Sequence, residues 1–432
     1  MEIDGSELAI RQDKGLSSSA TLSPQTQTPP APPPDGSPSP PTVTLVAADE
    51  LREHQPWKPS PFHPGPSFKS LEWSADGTTV IAATTSKTIL SYVLPTDLLD
   101  PRRHDDAIST TSTPQPPHCH YNHHSIKPQG HLEFGTTPLS FAAAPYFSLS
   151  TPWTQTVLVG CPDKPLQLFP LFPGNEDGVS SDATTTPSPI ATYSLIKHET
   201  EAYMAPFALS WTAPGSHFVV GTNNLLALFD ISRTSNDPPI LRVPTTASLY
   251  AGALYGLGVS GNVSALAATP AHSLTAAGTW TRGVGLYDLA RAGDLASHWN
   301  LRDNRDSDSG VSYDGGGVVQ LLWSPCGRYL VVNERKSNGL LVYDVRGTHR
   351  LLATLSGRSN KTARPIRCTV YGSGASASGD SDDTTFELWS GTDDGSVVMY
   401  ESVGKQEGAV EPTFSDACKW FRTGNMRDIA TG

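Results

Sequence analysis

A short phrase, in which two or three aliphatic residues precede Phe or Tyr, recurs six times along the 432-residue chain and constrains its fold more than any other feature. The aromatic positions are Tyr92, Phe169, Phe229, Tyr287, Tyr343 and Tyr400. The last five follow one another at intervals of 60, 58, 56 and 57 residues. A nearly fixed period of this length indicates repeated structural units and not a single continuous core.

The repeated unit is clearest between Val318 and Gly357. It holds four short apolar segments, which are VVQLLWS, RYLVVNE, LLVYDV and RLLATL. The turn at Pro325–Gly327 has a Gly where positive φ is needed, and the turn at Lys336–Gly339 has the Asn-Gly pair of a hairpin. Four short antiparallel strands of this kind predict one blade of a β-propeller.

The aromatic residue of the phrase is often followed by Asp, as in LALFDIS, VGLYDLA and LLVYDVR. WD-repeat blades carry their Trp-Asp pair at this place. We expect the ring to pack between blades and the carboxylate to accept hydrogen bonds from turn groups, since an unpaired buried donor would cost roughly 1–3 kcal/mol. Similar turns, WSADG, WTAPG and WSPCG, follow Trp73, Trp211 and Trp323. The sequence therefore predicts an all-β, WD40-type β-propeller.

Six blades are recognisable, and a seventh is partial or missing. Their approximate limits are residues 68–95, 138–173, 207–232, 263–290, 318–357 and 366–403. Only 32 residues follow Tyr400, and they lack the alternation and turn signals of a full blade. Three alternatives stay open: the ring has six blades, a partial seventh is completed by the N-terminal strand VTLVAA (Val43–Ala48), or the sequence is truncated.

Composition divides the chain into three parts. Residues 1–67 are rich in Ser, Thr and Pro and poor in large apolar side chains, which predicts a disordered tail. Residues 68–403 form the predicted propeller, and residues 404–432 form a C-terminal segment that is either a partial blade or disordered. Polar stretches are expected to be loops that leave the ring, at residues 96–133, 174–189, 303–317 and 373–385.

Targeting signals and cysteine usage indicate the cellular setting. The start, MEIDGSELAIRQDKG, has no apolar core of a secretory signal, and no segment approaches the roughly 20 apolar residues of a membrane span. The 5 Cys are scattered without framework spacing, so free thiols in a reducing compartment are expected. We predict a nuclear protein, with the cytoplasm as a second location and no membrane partner.

Positive charge is concentrated in one segment of an acidic chain. The net charge of −12 argues against a uniformly basic surface, yet residues 335–367 contain eight Lys or Arg and one acid, Asp344. This segment carries +7 and the rest of the chain −19. A phosphate-binding patch is one interpretation, and an ordinary solvated propeller edge is the other. The candidate RNA-binding residues are Lys336, Arg346, Arg350, Arg358, Lys361, Arg364 and Arg367.

Motifs for catalysis, metal binding or cofactor binding are weak. HCHYNHH (His118–His124) offers imidazole and thiol ligands without a second ligand cluster. GLGVSG (Gly256–Gly261) matches the dinucleotide fingerprint, but it leads into a strand and not a helix. No nucleophile elbow or Ser/His/Asp grouping accompanies the carboxylates of the polar loops. We therefore expect a non-enzymatic protein without a catalytic residue, metal, cofactor or small-molecule substrate.

One stretch is more specific than the general blade pattern. AAGTWTRGVGLYDL (Ala276–Leu289) resembles the run A-C-G-S-Y-x-R-x-x-G-L-Y of the telomerase Cajal body WD-repeat proteins and their fungal splicing-associated relatives. The segment 191–233 and the order of the blades are also similar, so the resemblance covers roughly residues 68–403. The positions that match the motif are Gly278, Arg282, Gly285, Leu286 and Tyr287.

The resemblance implies a seven-bladed scaffold that binds small nuclear and Cajal body RNAs, including telomerase RNA in animals, and that supports snRNP function and pre-mRNA splicing in fungi. Together with the basic segment, it predicts a non-enzymatic scaffold for such an RNA or its ribonucleoprotein proteins, with further protein partners on the propeller face. The alternative is a general WD40 protein–protein scaffold without RNA binding.

Overall fold

The computed structural model describes residues 47–49, 68–98, 124–172, 188–234, 237–246, 258–269, 274–303, 314–347, 350–372 and 385–417. Within these ranges the regular structure consists of twenty-seven β-strands and four single-turn 3-10 helices. None of the helices in the described ranges has the length and apolar character that crossing a membrane requires. The predicted all-β class is confirmed.

The strands up to residue 244 are β1 (Ala47–Asp49), β2 (Phe68–Trp73), β3 (Thr79–Thr84), β4 (Thr88–Val93), β5 (His124–Ile126), β6 (Gly130–Glu133), β7 (Ser140–Ala143), β8 (Thr156–Gly160), β9 (Leu166–Pro170), β10 (Ala191–Tyr193), β11 (Ala208–Thr212), β12 (His217–Thr222), β13 (Leu225–Asp230) and β14 (Leu241–Pro244). The later strands are β15 (Val263–Ala268), β16 (Leu274–Thr279), β17 (Gly283–Asp288), β18 (Asp294–Asn300), β19 (Val318–Trp323), β20 (Tyr329–Glu334), β21 (Leu340–Asp344), β22 (Leu351–Leu355), β23 (Cys368–Gly372), β24 (Phe386–Gly391), β25 (Ser396–Val403), β26 (Gly408–Val410) and β27 (Phe414–Ala417).

Most of these strands form six blades of a propeller. In chain order the blades are β2-β3-β4-β6, β7-β8-β9-β10, β11-β12-β13-β14, β15-β16-β17-β18, β19-β20-β21-β22 and β23-β24-β25-β27. The first strand of every blade lines one central channel. Among the alternatives for blade number, the described residues therefore form a six-bladed ring.

The C-terminal segment takes part in the last two blades, so the propeller extends beyond the boundary at residue 403 that the sequence suggested. β27 pairs with β25 as the fourth strand of blade 6, and β26 adds to β22 in parallel at the edge of blade 5. These strands have four and three residues. Segments this short hold too few alternating positions to be recognised as blade strands.

One stretch interpreted as a loop supplies the fourth strand of blade 1, and the fourth strand of blade 2 follows another such stretch. β6, at the end of the 96–133 stretch, pairs with β4, and β10 pairs with β9 beyond the 174–189 stretch. The N-terminal run beginning at Val43 contributes only β1, which pairs in parallel with β5 in a separate two-stranded sheet and not in a seventh blade. Apart from β1, the predicted tail of residues 1–67 lies outside the described residues.

The six aromatic residues of the repeated phrase are all buried, with relative exposures of 3% or less. They belong to apolar clusters, most of which join neighbouring blades. Between blades 4 and 5, for example, Leu286 and Trp299 pack with Leu330 and Tyr343. Burial of one such side chain contributes about 1.5–3 kcal/mol, so five of the six aromatic residues help to hold two blades together, while the cluster of Tyr92 lies within blade 1 and the adjoining β5.

The Asp that follows the aromatic residue binds the next turn, as predicted. The Asp230 carboxylate accepts a hydrogen bond from the backbone N–H of Ser232 at 2.8 Å, and the Asp344 carboxylate accepts one from the N–H of Arg346 at 3.0 Å. The Asp288 carboxylate accepts from a backbone N–H in the same way. The carboxylates therefore fix the turns between the third and fourth strands.

The turns between the second and third strands contain a left-handed residue in every blade. These residues are Lys87, Asp163, Asn224, Arg282, Lys336 and Gly395. In blade 5 the left-handed residue is Lys336, with φ of 53°, and not the Asn-Gly pair that the sequence suggested. A non-glycine residue in this conformation costs about 1–2 kcal/mol, yet three of the six turns place Lys or Arg there.

Candidate nucleic-acid interface

The two ends of the ring are distinguished by their turns. We call the end with the turns between second and third strands the upper face, and the end with the turns between first and second strands the lower face. Neighbouring blades are joined by hydrogen bonds on both faces. Asn223 donates to Asn262 at 2.7 Å on the upper face, and the backbone N–H of Leu149 donates to Asp76 at 2.7 Å on the lower face.

The candidate RNA-binding residues do not form one patch. In blade 5 the end of β20 pairs with the start of β19, which places Lys336 on the upper face. Arg346 and Arg350 flank the turn between β21 and β22, at the opposite end of the same blade. Four residues, Lys336, Lys361, Arg364 and Arg367, belong to the upper side and are exposed.

Arg358 is a correction to the predicted site, because it is only 1% exposed. Its guanidinium donates to Asn333 Oδ1 and to the carbonyl of Ile366, both at 2.9 Å, and to the carbonyl of Gly391 at 3.3 Å. These groups come from blades 5 and 6 and from the connection between them. Arg358 therefore fastens two blades together and is not accessible to a phosphate.

Arg346 is exposed but has an acidic partner. Its guanidinium donates to both oxygens of Asp344, at 3.0 and 2.6 Å. The side-chain hydrogen bond from Arg346 lowers the pKa of Asp344 below its ordinary value. Most of the charge of Arg346 is thus compensated locally, and Arg350 beside it is exposed at the lower face.

The exposed cations on the upper side extend from Lys336 in blade 5 to Arg367 at the channel. The backbone N–H of Lys361 donates to Asp393 at 2.8 Å, which ties the connection between blades 5 and 6 to a turn of blade 6. Asp394 in that turn accepts from the backbone N–H of Ser396 at 2.9 Å. The neighbouring carboxylates are therefore engaged in turn hydrogen bonds, while the side chains of Lys336, Lys361 and Arg364 extend into solvent.

Arg367 lies in the wall of the central channel, which encloses about 790 Å³. Glu72 of β2 faces the same channel, and its carboxylate accepts a hydrogen bond from the backbone N–H of Ala143. Burial raises the pKa of Glu72 to about 7, although Arg367 and the Ala143 N–H act in the opposite direction. Lys69, at the start of β2, donates to the carbonyl of Pro138 at 2.8 Å.

The motif residues of blade 4 build its upper turn and the junction with blade 5. A Cβ atom on Gly278 would lie 2.5 Å from Val318, and one on Gly285 would lie 2.8 Å from the ring of Tyr287, so both positions require glycine. Leu286 and Tyr287 are buried. These four residues shape the blade and offer no exposed group to a partner.

Arg282, the fifth motif residue, forms a buried ion pair across two blades. It lies in the upper turn of blade 4 with φ of 72°, and its guanidinium donates to both oxygens of Glu334 at 2.8 and 3.0 Å. Burial raises the pKa of Glu334, and the hydrogen bonds from Arg282 counter this effect. The pair fixes the position of the blade 4 turn relative to blade 5.

Trp280 is an aromatic residue of the upper face that the sequence analysis did not single out. It lies two residues before Arg282 and is 42% exposed. The ring of Phe207 in blade 3 is 5.0 Å away between centroids, and the guanidinium carbon of Arg335 in blade 5 lies 5.1 Å from its centroid. The run A-C-G-S-Y-x-R has an aromatic residue at the position of Trp280, two residues before the matched Arg282, and this was the available signal.

The lower end of the channel is apolar. Leu71 and Trp73 of blade 1 and Tyr371 of blade 6 line the channel, and each is more than half exposed. On the lower face of blade 2, the turn between β7 and β8 exposes Tyr146, Leu149 and Trp153. The exposed aromatic residues of the lower face thus lie on adjacent blades.

The other motifs do not gather into a site within the described residues. His118 to His123 of the His-rich stretch lie outside them, and the part that is described contains no group of three or more His, Cys, Asp or Glu that could hold a metal ion. From Gly258 onward the glycine-rich run enters β15 of blade 4. Among the described residues, Cys161, Cys326 and Cys368 are free thiols.

These features define a WD40-type β-propeller with a polar, cation-bearing upper face and an aromatic lower mouth. No protein-family model matches the chain. It is similar to guanine nucleotide-binding protein negative regulator 1 of Schizosaccharomyces pombe, with 24% identity over 308 residues that cover 71% of this chain and 66% of that protein. It is also similar to telomerase Cajal body protein 1 of Rattus norvegicus, with 24% identity over 289 residues that cover 67% and 44%.

A third relative is protein SWT21 of Vanderwaltozyma polyspora, with 24% identity over 341 residues that cover 77% of this chain and 67% of that protein. The predicted resemblance to the WD40 group that includes the telomerase Cajal body proteins is confirmed. The matched regions span less than two thirds of the first two relatives.

Among solved structures, the chain is similar to Chaetomium thermophilum Sqt1 bound to the N-terminus of ribosomal protein L10. The TM-score is 0.50 at 16% identity, with 81% of this chain and 74% of that chain covered. This likeness supports the fold alone.

Proposed function

We propose that this propeller is a non-enzymatic scaffold that binds a small nuclear or Cajal body-type RNA through its upper face and holds it in a ribonucleoprotein. The observation that carries the proposal is the group of exposed cations Lys336, Lys361 and Arg364 at one end of blades 5 and 6, beside an exposed aromatic residue. Cations supply the sequence-independent part of RNA affinity, and aromatic rings accept unstacked bases.

The left-handed turns support this assignment. Lys87, Arg282 and Lys336 occupy positions that Gly, Asn or Asp adopt more readily. The strain at Arg282 is accompanied by the buried pair with Glu334, whereas Lys87 and Lys336 are exposed. A cation kept at a strained, exposed position is consistent with a role in binding an anion.

The similarity to telomerase Cajal body protein 1 and SWT21 supports a nuclear location and a role in snRNP function, pre-mRNA splicing or the localisation of RNAs such as telomerase RNA. The experiment is binding of the small RNA fraction from nuclei of the source cells to the full chain, at a series of salt concentrations. The test variant is the triple reversal Lys336→Glu, Lys361→Glu and Arg364→Glu.

We expect the triple variant to lose at least roughly 10-fold in affinity and the log-log salt slope to fall by about 2, because each lost phosphate contact on single-stranded RNA removes about 0.7. The matched control is Arg346→Glu with Arg350→Glu, which reverses charge on the lower face of the same blade and should leave binding unchanged. Equal loss in both variants, or no enrichment of any RNA by the wild-type chain, would contradict the proposal.

A second candidate function is protein binding at the lower mouth, favoured by the exposed side chains of Leu71, Trp73 and Tyr371 around the channel. Exposed aromatic residues that surround a concave opening are typical anchors for a protein partner. RNase treatment of the purified complexes separates the two functions. Partners that persist after digestion and are lost with Trp73→Ala and Tyr371→Ala would favour the protein scaffold.

A further inference from the structure

We propose that Trp280 stacks on an unpaired nucleobase, so that the upper face prefers single-stranded RNA over a duplex. This inference rests on the proposed RNA-binding function and deepens it, because the cations of blades 5 and 6 account for phosphate attraction but not for a choice between paired and unpaired RNA. An aromatic ring supplies that choice, since bases inside a helix are already stacked on one another.

Trp280 is exposed in a turn that leaves it little freedom. Its backbone N–H donates to the carbonyl of Asn262 at 3.1 Å. A Cβ atom on Gly317, in the connection from blade 4 to blade 5, would lie 2.5 Å from the Trp280 carbonyl oxygen and 2.8 Å from its Cα. The turn is thus enclosed by neighbouring backbone, and Gly317 permits this approach without a side chain.

The ring is oriented by two side chains from other blades. Phe207 packs against it at 5.0 Å with an interplanar angle of 57°, and the Arg335 guanidinium lies over it at 5.1 Å. The ion pair of Arg282 with Glu334 fixes the same turn two residues later. A ring that is held from blades 3 and 5 and still 42% exposed is a preorganised surface, and preorganisation lowers the entropy cost of binding.

The charge around the ring favours a nucleotide. Within the described part of the chain, no carboxylate forms an ion pair with Arg335, whose Nε is buried without a hydrogen-bond partner. Lys336 follows directly and is exposed. An apolar segment of a protein would instead seek neighbouring exposed apolar side chains, and those concentrate on the lower face at Leu71, Trp73 and Tyr371. A nucleotide could stack its base on the Trp280 ring and place its phosphates near the Lys336 ammonium.

The test compares Trp280→Ala, Trp280→Phe and Trp153→Ala in the full chain. Trp153 is the matched control, an exposed Trp on the lower face. The probes are a labelled single-stranded 15-nucleotide RNA of mixed sequence and a duplex RNA of the same length. We expect Trp280→Ala to weaken single-strand binding by roughly 5- to 150-fold, which is the range for loss of one base–aromatic stack. Trp280→Phe should retain most of the affinity, Trp153→Ala should match the wild type, and duplex affinity and the salt slope should not change.

The outcomes separate this inference from the proposed function. If the wild-type chain binds neither probe, the proposed function is wrong. If the wild type binds RNA and the triple charge reversal weakens it, but Trp280→Ala does not, only the stacking inference is wrong. An equal loss for single strand and duplex, or a lowered melting temperature that accounts for the loss, would also overturn stacking. Loss of a protein partner in Trp280→Ala, with RNA binding intact, would overturn stacking as well.

Discussion

The upper and lower faces of the propeller are each built from turns that repeat in every blade, yet their charged side chains have different partners. On the lower face, Asp side chains of the repeated phrase fix their own turns, and Arg346 is compensated by Asp344. On the upper face, Lys336, Lys361 and Arg364 are exposed, and the Arg–carboxylate pair is buried between blades. Charge that is contiguous in sequence is therefore divided in space, because successive turns of a meander lie at opposite ends.

Two of the Arg–carboxylate pairs offer the sharpest contrast. Arg282 with Glu334 and Arg346 with Asp344 are both two-pronged, but the first is buried and the second exposed. We expect Arg282→Ala to destabilise the protein by about 3–5 kcal/mol, because it leaves the Glu334 carboxylate buried without its partner. Chemical denaturation measures the loss of unfolding free energy.

Arg346→Ala is the control for this prediction and should leave the denaturation midpoint nearly unchanged, since exposed pairs contribute little. The double variant Arg282→Ala with Glu334→Gln should recover part of the loss, because the unpaired charge is removed. If the two single variants destabilise equally, the distinction between a buried upper pair and an exposed lower pair is wrong.

Arg358→Met tests a residue that the charge pattern assigned to RNA binding and that the structure places in the interior. It removes three hydrogen bonds to acceptors on blades 5 and 6, so we expect a loss of about 2–4 kcal/mol in stability. The affinity of the folded protein for RNA should not change. A loss of RNA affinity without a loss of stability would restore Arg358 to the binding surface.

Lys336→Gly separates stability from binding on the upper face. Glycine relieves the left-handed strain, about 1–2 kcal/mol, and adds back an entropy cost of about 0.5–1 kcal/mol. We therefore expect equal or slightly higher stability together with weaker RNA binding and a salt slope reduced by about 0.7. Lys336→Arg, which keeps the charge, should bind like the wild type, and Arg350→Gly on the lower face should not affect RNA.

The repeats could be predicted from sequence because the burial of the phrase depends on local alternation. Each aromatic residue with its aliphatic neighbours specifies the third strand of a blade, and Gly77 and Gly327 mark equivalent turns with φ of 70°. β6, β26 and β27 were missed because each has three or four residues and pairs with an edge that only the folded blade provides.

The candidate site was predicted less completely, for a different physical reason. Whether a cation is exposed depends on partners that are remote in sequence, as Asn333 and Gly391 are for Arg358. Which end of the blade a turn occupies follows from strand order, so Arg346 and Lys336 could have been separated by counting turns. The orientation of the Trp280 ring depends on Phe207 of blade 3 and Arg335 of blade 5, and a local motif does not specify contacts with other blades.

The smallest predicted effect lies in the channel that joins the two faces. The pKa of Glu72 is raised from its ordinary value of 4.5 to about 7 in the folded protein, chiefly by burial, so the folded state binds this proton more tightly than the unfolded state. Its stabilising contribution is complete below pH 4.5 and is lost as the pH rises through 7. Glu72→Gln should therefore melt like the wild type at pH 4.5 and about 1–3 °C higher at pH 8.

Asp230→Asn is a control of opposite sign, because hydrogen bonds from Ser232 lower the pKa of Asp230. This variant should lower the melting temperature at pH 8 more than at acidic pH. A Glu72→Gln gain that does not grow with pH would place the Glu72 carboxylate in solvent and not in the channel wall.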